Sequence, residues 1–342
     1  MQRAKDIATQ LEAIQGESSK HGGWEAWWSS LRTFQDAVAL LPGAPYVAEI
    51  QADTFLTQEG YLFGRAWDCG YLLCPNLVKP KAASDRAARW VAPIEVITDI
   101  HCQQRRRGID LIVVPIPPRP EVEPDKLVPG TAADQEVTPQ RLQFIEALLQ
   151  RDVEAVDVLP FLHEALRQGQ PLSLKTDTHY SNTGAQVVAG VLAERLRRYD
   201  FIKSPQKAQD YRVKTEDFQV LTAYASFEGR LPAETTTVRR ILCGNGSTFK
   251  PDSESPILLI GDSYTYVYDN ASASLAAQLS FDIGFPVAHI GMGAGGPAVP
   301  RRLAQMGTDG LAKHRVVIWA FVARYLADNT ASYNQWEKIQ LP

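Results

Sequence analysis

The run "ILLIGDSYTYVYDN" joins a hydrophobic stretch, Ile257 to Ile260, to Gly261-Asp262-Ser263. A serine placed there falls at the carboxyl edge of a strand, where the chain turns into its next element. Gly261 permits a tight turn. Amides after the turn point outward, and with a helix dipole behind them they can stabilise an oxyanion. That is the setting a nucleophilic serine needs. The same tripeptide reads equally as a Ser or Asp N-cap. It is not a GxSxG elbow, because no glycine stands two places after Ser263.

A serine nucleophile needs a base, most often histidine. The chain has His21, His101, His163, His179, His289 and His314. His101 and His163 lie in helical patterns at partly exposed positions. His289 lies in a strand, where a satisfied core histidine is the ordinary reading, and His21 and His314 sit near turns. Only His179, in "KTDTHYSNTGAQ", has an acid two places away on a loop: Asp177. In extended backbone, side chains at i and i+2 point the same way. Asp177 can then hold one imidazole nitrogen and leave the other for Ser263. Read by themselves, the pair are also ordinary loop residues.

The run "GMGAGGPAVPRRL" matches GxGxxG at Gly291, Gly293 and Gly296. Pro297 and Pro300 are expected to disrupt the helix start that a dinucleotide site requires, and no acid ends the next strand. The glycines suit a different use. Backbone at Gly293 and Gly295 can approach a substrate and donate an N–H to an oxyanion. Arg301 or Arg302 can add positive charge, although surface arginine is the default. Tyr264, Tyr266 and Tyr268 lie near the serine, and each is a candidate sugar platform or a core residue.

The elements that must position these residues alternate between strand and helix. "PIEVITDIHCQQRRRG" reads as a helix ending at Gly108, and "IDLIVVPIPPRP" as a buried parallel strand. "VTPQRLQFIEALLQRD" is a helix with Pro139 in its first turn. "VEAVDVLPFLHEALRQG" is a strand, then a helix. "NTGAQVVAGVLAERLRRYD" is a helix capped by Ser181 or Asn182. "ASASLAAQLSFDIG" is a helix, while "FPVAHIG" and "HRVVIWAFVARYL" are strands. The pattern predicts an α/β fold with a mostly parallel sheet and a site at the carboxyl ends of its strands. The first 90 residues are expected to be a helical or irregular portion packed on a single domain spanning 1–342. The Trp-rich run with Trp24, Trp27 and Trp28 is its central helix, and "QEGYLFGRAW" a short strand.

Composition excludes several classes. The 342 residues carry a formal net charge of −4, with 45% hydrophobic and 22% charged residues, which is no basis for nucleic-acid binding. No run of about 20 apolar residues marks a membrane span. Cys69, Cys74, Cys102 and Cys243 lack zinc-site spacing. A Cys69–Cys74 disulfide and free thiols both fit. No cofactor or metal is expected.

Taken together, the order D-x-H before G-D-S resembles the SGNH-hydrolase-like alginate O-acetyltransferases of the AlgJ and AlgX type. Ordinary SGNH esterases carry these motifs in the reverse order. "QEGYLFGR", "IDLIVVPIPPRPEVEPDKL", "KTDTHYSNTGAQ", "ILLIGDSYT" and "RVVIWAFVARYL" carry the resemblance from about residue 58 to 326. It implies a three-layer fold, with Ser263 as nucleophile, His179 as base and Asp177 as its orienter. It also implies acetyl transfer through an acyl-serine to an exopolysaccharide hydroxyl in the periplasm. An acetyl donor and a polysaccharide acceptor are the implied partners, with exopolysaccharide-assembly proteins as further ones. Tyr180 stands where the family pattern has Trp, which puts the sugar-facing surface in question. Ala323 precedes Arg324 where an acid is common, which puts Arg324's role in question. With the chain ending at Pro342, no separate carbohydrate-binding module is expected, so the architecture is nearer AlgJ. An acetylesterase and a non-catalytic assembly protein are the competing readings.

Overall fold

The computed structural model describes residues 47–51, 54–64, 68, 70–72, 74, 77–78, 91–127, 131–203, 210–220, 229–293, 295–327 and 336–342. The Trp-rich run and Cys69 lie outside the described residues. Near the start, β1 (Val47–Gln51), β2 (Thr54–Thr57) and β3 (Leu62–Gly64) form an antiparallel sheet in that order. β3 falls in the run "QEGYLFGRAW", where a short strand is expected, while β1 and β2 lie where a helical or irregular portion is expected. Gly60, at φ +86°, makes the β2–β3 turn.

The body of the chain is a five-stranded sheet. Its strands are β4 (Asp110–Ile116), β5 (Glu154–Ala155), β8 (Ile257–Gly261), β9 (Ala288–Gly291) and β10 (Val316–Val322). They lie in the order β5-β4-β10-β8-β9, all neighbours parallel. The continuous apolar runs follow from burial on both faces. In β10, Val317, Trp319 and Phe321 face one side, while Val316, Ile318, Ala320 and Val322 face the other. The first face packs on α1 (Pro93–Arg105), α3 (Pro139–Leu149) and α7 (Gly295–Gln305). The second packs on α4 (Leu159–Arg167), α5 (Asn182–Leu196) and α6 (Leu275–Ile283). A short α2 (Arg119–Val122) follows β4 directly. The result is the three-layer α/β arrangement expected.

α7 corrects one expectation. The helix contains both Pro297 and Pro300. Pro297 falls in the first turn, where an N–H has no partner within the helix, and Pro300 removes one interior bond. The backbone can form the helix, so the prolines do not by themselves argue against a glycine-loop site.

Between α5 and β8 the hydrophobic periodicity gives no element, yet β6 (Tyr211–Val220) and β7 (Glu234–Cys243) form a long antiparallel ribbon. Most of its side chains are exposed or half-exposed, so no apolar alternation marks it. Polar bonds fasten it to the domain. Asn182 Oδ1 accepts the Arg239 N–H at 2.8 Å, and Arg239 Nε donates to Gln278 Oε1 at 2.6 Å.

Two features join β8 to β10 beneath the Ser263 turn. A Cβ on Gly261 would lie 1.7 Å from the Ala320 carbonyl oxygen, so only glycine fits there. One residue on, the Asp262 carboxylate accepts the Val322 N–H at 2.6 Å and the Tyr264 N–H at 3.0 Å. The first of these is an end-of-strand N–H beyond the β8–β10 ladder. Burial pushes the Asp262 carboxyl up to about 6, against the pull of these two donors.

The sign of the resulting pH dependence follows. The unfolded Asp262 ionises near 3.8 and the folded one near 6, so on raising the pH the unfolded chain sheds its proton first. Folding stability from this group therefore falls across that window. Asp262→Asn does not titrate, but its amide oxygen cannot serve both N–H groups as the carboxylate does. The variant should be less stable than the parent, by a margin that shrinks by about 2–3 kcal/mol between about pH 4 and pH 7. Urea denaturation at a series of pH values measures it. A margin independent of pH would contradict the assignment.

Candidate active site

Ser263 begins a short 3-10 turn, Ser263–Thr265, at the carboxyl end of β8. The side chain is partly exposed. Its N–H donates to no acceptor among the described residues, whereas Thr265 N–H bonds Asp262 O at 2.9 Å and Tyr266 N–H bonds Ser263 O at 3.1 Å. A Cβ on Gly295 would fall 2.6 Å from the Gly261 carbonyl oxygen and 3.0 Å from Asp262 Cα. The N-terminus of α7 thus approaches the serine turn as closely as glycine allows. Gly293 is exposed just before it.

The Asp177–His179 loop lies opposite. It is pinched at its base by the Ser173–Tyr180 bridge and by Ser181 N–H to Leu172 O at 2.7 Å. Ser181 then caps α5, its Oγ accepting the Gly184 N–H. Asp177 and His179 do meet, but through a turn rather than extended backbone. Asp177 Oδ1 accepts the His179 N–H at 2.8 Å and lies 2.5 Å from His179 Nδ1. A carboxylate that takes its own loop's N–H is oriented by that bond. His179 Nε2 stands 2.7 Å from Ser263 Oγ. Burial disfavours ionised Asp177, but the His179 ring, its two hydrogen bonds and nearby Arg119 outweigh this and hold the carboxyl below its usual range.

The loop is tied down from several elements. Arg119, 4% exposed, donates through Nη1 to the carbonyls of Leu174, Lys175 and Asp177, the last at 2.9 Å. Its guanidinium lies 4.3 Å from the Phe63 ring centroid. Glu234, the first residue of β7, accepts the Lys175 and Thr176 N–H groups at 2.9 Å each. Leu62 of β3 donates to Lys175 O at 2.9 Å. Tyr264 donates from its hydroxyl to Thr178 O at 2.5 Å, and Arg324 Nη1 to Thr178 Oγ1 at 2.5 Å.

The structure sorts the remaining sequence candidates. Gly261 serves the close approach of two strands. Tyr264 and Tyr180 turn inward, 1% and 6% exposed, so Tyr264 takes the core side of its two readings and Tyr180 does not face the surface. Tyr180 donates its hydroxyl to Tyr264 O, and the two rings meet edge to face at 5.0 Å. Tyr268 is also buried and bonds Tyr180 O at 2.9 Å. Arg324 reaches Thr178 and pairs with buried Asp68 at 3.4 Å. Arg301 does not join the cluster; its exposed guanidinium pairs with Glu337 at 2.8 Å. His289, as expected of a strand histidine, is satisfied by Thr265 Oγ1 at 2.9 Å. His163, expected to be partly exposed, is buried. Among the described residues, no three or more His, Cys, Asp or Glu side chains group to hold a metal ion.

Arg119, Asp68 and Glu234 escape the sequence reading because each acts on residues far along the chain. Only Arg119 carries a signal. It stands just past the carboxyl end of a predicted parallel strand, the edge where such sheets build sites.

Comparisons with known proteins agree with this architecture. The chain is 25% identical over 248 residues to the probable alginate O-acetylase AlgJ of Pseudomonas fluorescens, covering 68% of this chain and 61% of that protein. Against the first three such relatives the chain spans 50 to 61% of their length. The O-acetyltransferase domain of Pseudomonas putida AlgJ superposes with a TM-score of 0.60 at 21% identity, covering 82% of this chain and 95% of that one. Pseudomonas aeruginosa AlgX does so with a TM-score of 0.55 at 19% identity, over 82% of this chain and 67% of that one. These likenesses establish a shared fold. The family's sequence profile, described as the SGNH hydrolase-like domain of the acetyltransferase AlgX, matches residues 78–323. With the motifs, the sheet and the profile in agreement, the chain belongs to the SGNH hydrolase-like, AlgX-type acetyltransferase family.

Proposed function

We propose that the protein is an O-acetyltransferase that carries acetyl through acetyl-Ser263 to a hydroxyl of an alginate-like exopolysaccharide. The observation that carries the reading is the continuous line from Asp177 Oδ1 through the His179 ring to Ser263 Oγ, at 2.5 and 2.7 Å. His179 Nε2 takes the Ser263 proton as Oγ attacks the acetyl carbonyl. The imidazolium returns that proton to the leaving alcohol as the ester bond breaks. An acceptor hydroxyl then gives its proton to Nε2 and attacks acetyl-Ser263, and the proton passes back to Ser263 Oγ. The Ser263 N–H and the glycines before α7 supply donors to the oxyanion. General-base help is typically worth about 10²–10⁴-fold and one oxyanion donor about 10²–10³-fold. Asp177 holds the imidazole in the useful tautomer and stabilises the imidazolium.

The relatives are named for alginate O-acetylation and alginate biosynthesis, which supports a polysaccharide acceptor and an acetyl donor; assembly partners and a periplasmic site of action are what the family resemblance implies. No helix among the described residues is long and apolar enough to cross a membrane.

The test uses p-nitrophenyl acetate with and without oligouronate, followed by intact-mass analysis and product separation. The parent should gain one acetyl on Ser263 and pass it to the oligosaccharide, and Ser263→Ala should do neither. Absence of adduct and turnover in the parent would sink the reading. Acetate formed without acetylated sugar, at saturating acceptor, would make the protein an acetylesterase.

Arg119 enters the reaction only through the loop it holds. Arg119→Met should fold, yet lower kcat for ester turnover by roughly 10–100-fold, with KM changed by less than about threefold. A rise in KM with kcat intact would instead place Arg119 against the substrate.

A further inference from the structure

Four tyrosines surround the Ser263 turn, and they are not equivalent. Tyr180, Tyr264 and Tyr268 are buried, and each donates its hydroxyl to a backbone carbonyl. Tyr266 differs on both counts. It is partly exposed, and its hydroxyl has no partner among the described residues.

Its ring is placed by a glycine. A Cβ on Gly291 would lie 2.4 Å from Tyr266 Cδ1 and 3.0 Å from Cγ, so the ring packs where a side chain would otherwise stand. Gly291 ends β9 and is the register partner of Gly261. The ring therefore packs on a residue that stands about one strand spacing, ~4.8 Å, from the one that leads into Asp262-Ser263. The Tyr266 N–H bonds the Ser263 carbonyl, which ties the ring's backbone to the nucleophile's turn. Gly291 and Gly293 are themselves exposed, so the surface beyond the ring carries no bulky side chain at either position. His179 approaches Ser263 from the Asp177 loop, while Tyr266 covers the β9 edge.

From this placement, and resting on the acetyltransferase reading above, we infer that Tyr266 is the acceptor-side platform. A pyranose ring of the glycan stacks on its exposed aromatic surface and brings a hydroxyl to the acetyl-serine. Transfer wins over hydrolysis only where a sugar hydroxyl is held better than water. An aromatic ring with its polar end free is suited to this, since it grips the C–H face of a sugar without a fixed hydrogen bond.

The experiment separates the two half-reactions. Acetylation of Ser263 is read from the p-nitrophenol burst. Transfer is read from the oligouronate concentration that gives half-maximal acetyl-sugar. Tyr266→Leu keeps bulk against Gly291 but has no aromatic face. It should raise that concentration roughly tenfold, while the burst rate changes by less than about threefold. Tyr266→Phe should keep the parent's ratio of acetylated sugar to acetate. An unchanged half-saturation in the Leu variant overturns the inference while leaving the acetyl-serine reading intact. Equal loss in Leu and Phe also overturns it, because the hydroxyl would then be the working group. No burst in the parent removes the acetyl-serine reading and this inference with it. Independently of any variant's folding, 3-fluorotyrosine-labelled protein should show one 19F line, assigned by its loss in Tyr266→Phe, that moves on adding oligouronate. A line that stays still overturns the inference.

Discussion

The site rests on one buried carboxylate. Asp262 takes the last N–H of β10 and the Tyr264 N–H of the turn after β8. It thereby closes two strand ends that would otherwise leave backbone donors unpaired in the interior, at a cost of order 1–3 kcal/mol each. Because one carboxylate serves both, Ser263 stands at a set height above the sheet. The cost is electrostatic, since an ionised carboxyl so deeply buried is disfavoured, and the pKa rises accordingly. Gly261 makes the arrangement possible by letting the Ala320 carbonyl come where a Cβ would be.

From that anchor the geometry spreads through tyrosine hydroxyls. Tyr264, held at its N–H by Asp262, reaches with its hydroxyl to the Thr178 carbonyl. Tyr180, next to His179, reaches back to the Tyr264 carbonyl, and Tyr268 to the Tyr180 carbonyl. Each bond crosses between the serine turn and the acid–histidine loop. These three rings are core residues that cross-link the two halves of the site. Tyrosine at 180 thus supplies a hydroxyl that tryptophan lacks, and it spends it on the structure rather than on a ligand.

The loop that carries Asp177 would be hard to hold by packing alone, because it is polar and short. It is held by charge instead. Arg119 collects three carbonyls on one side, and Glu234 collects two N–H groups on the other. Charge-assisted bonds of this kind are roughly twice as strong as neutral ones. The Glu234 end of the exposed ribbon and the Leu62 end of the small sheet converge on the same loop. Two peripheral elements, one of them with little apolar signal, therefore have a shared role, to hold the loop that carries His179.

Much of this protein was legible without coordinates. Apolar runs bounded by glycine and proline marked the parallel strands, because a strand covered on both faces has no polar side to show. Spacing made Asp177 and His179 candidates, and strand-then-turn context made Ser263 one, but each also had an ordinary reading, and it was the order of the two motifs, through its resemblance to a known family, that joined them. The ribbon of Tyr211–Val220 and Glu234–Cys243 was not legible, since its side chains mostly meet water and leave no periodicity. The burial of Tyr180 and Tyr264, the diversion of Arg301 to Glu337 and the three-carbonyl grip of Arg119 are also tertiary facts. Sequence determined the scaffold, through local patterns that repeat at fixed spacing, and named the candidates for acyl chemistry, through the order of two short motifs. Tertiary structure alone decided which polar side chains meet at the Ser263 turn and which hold it in place, because that depends on contacts between residues tens to hundreds of positions apart.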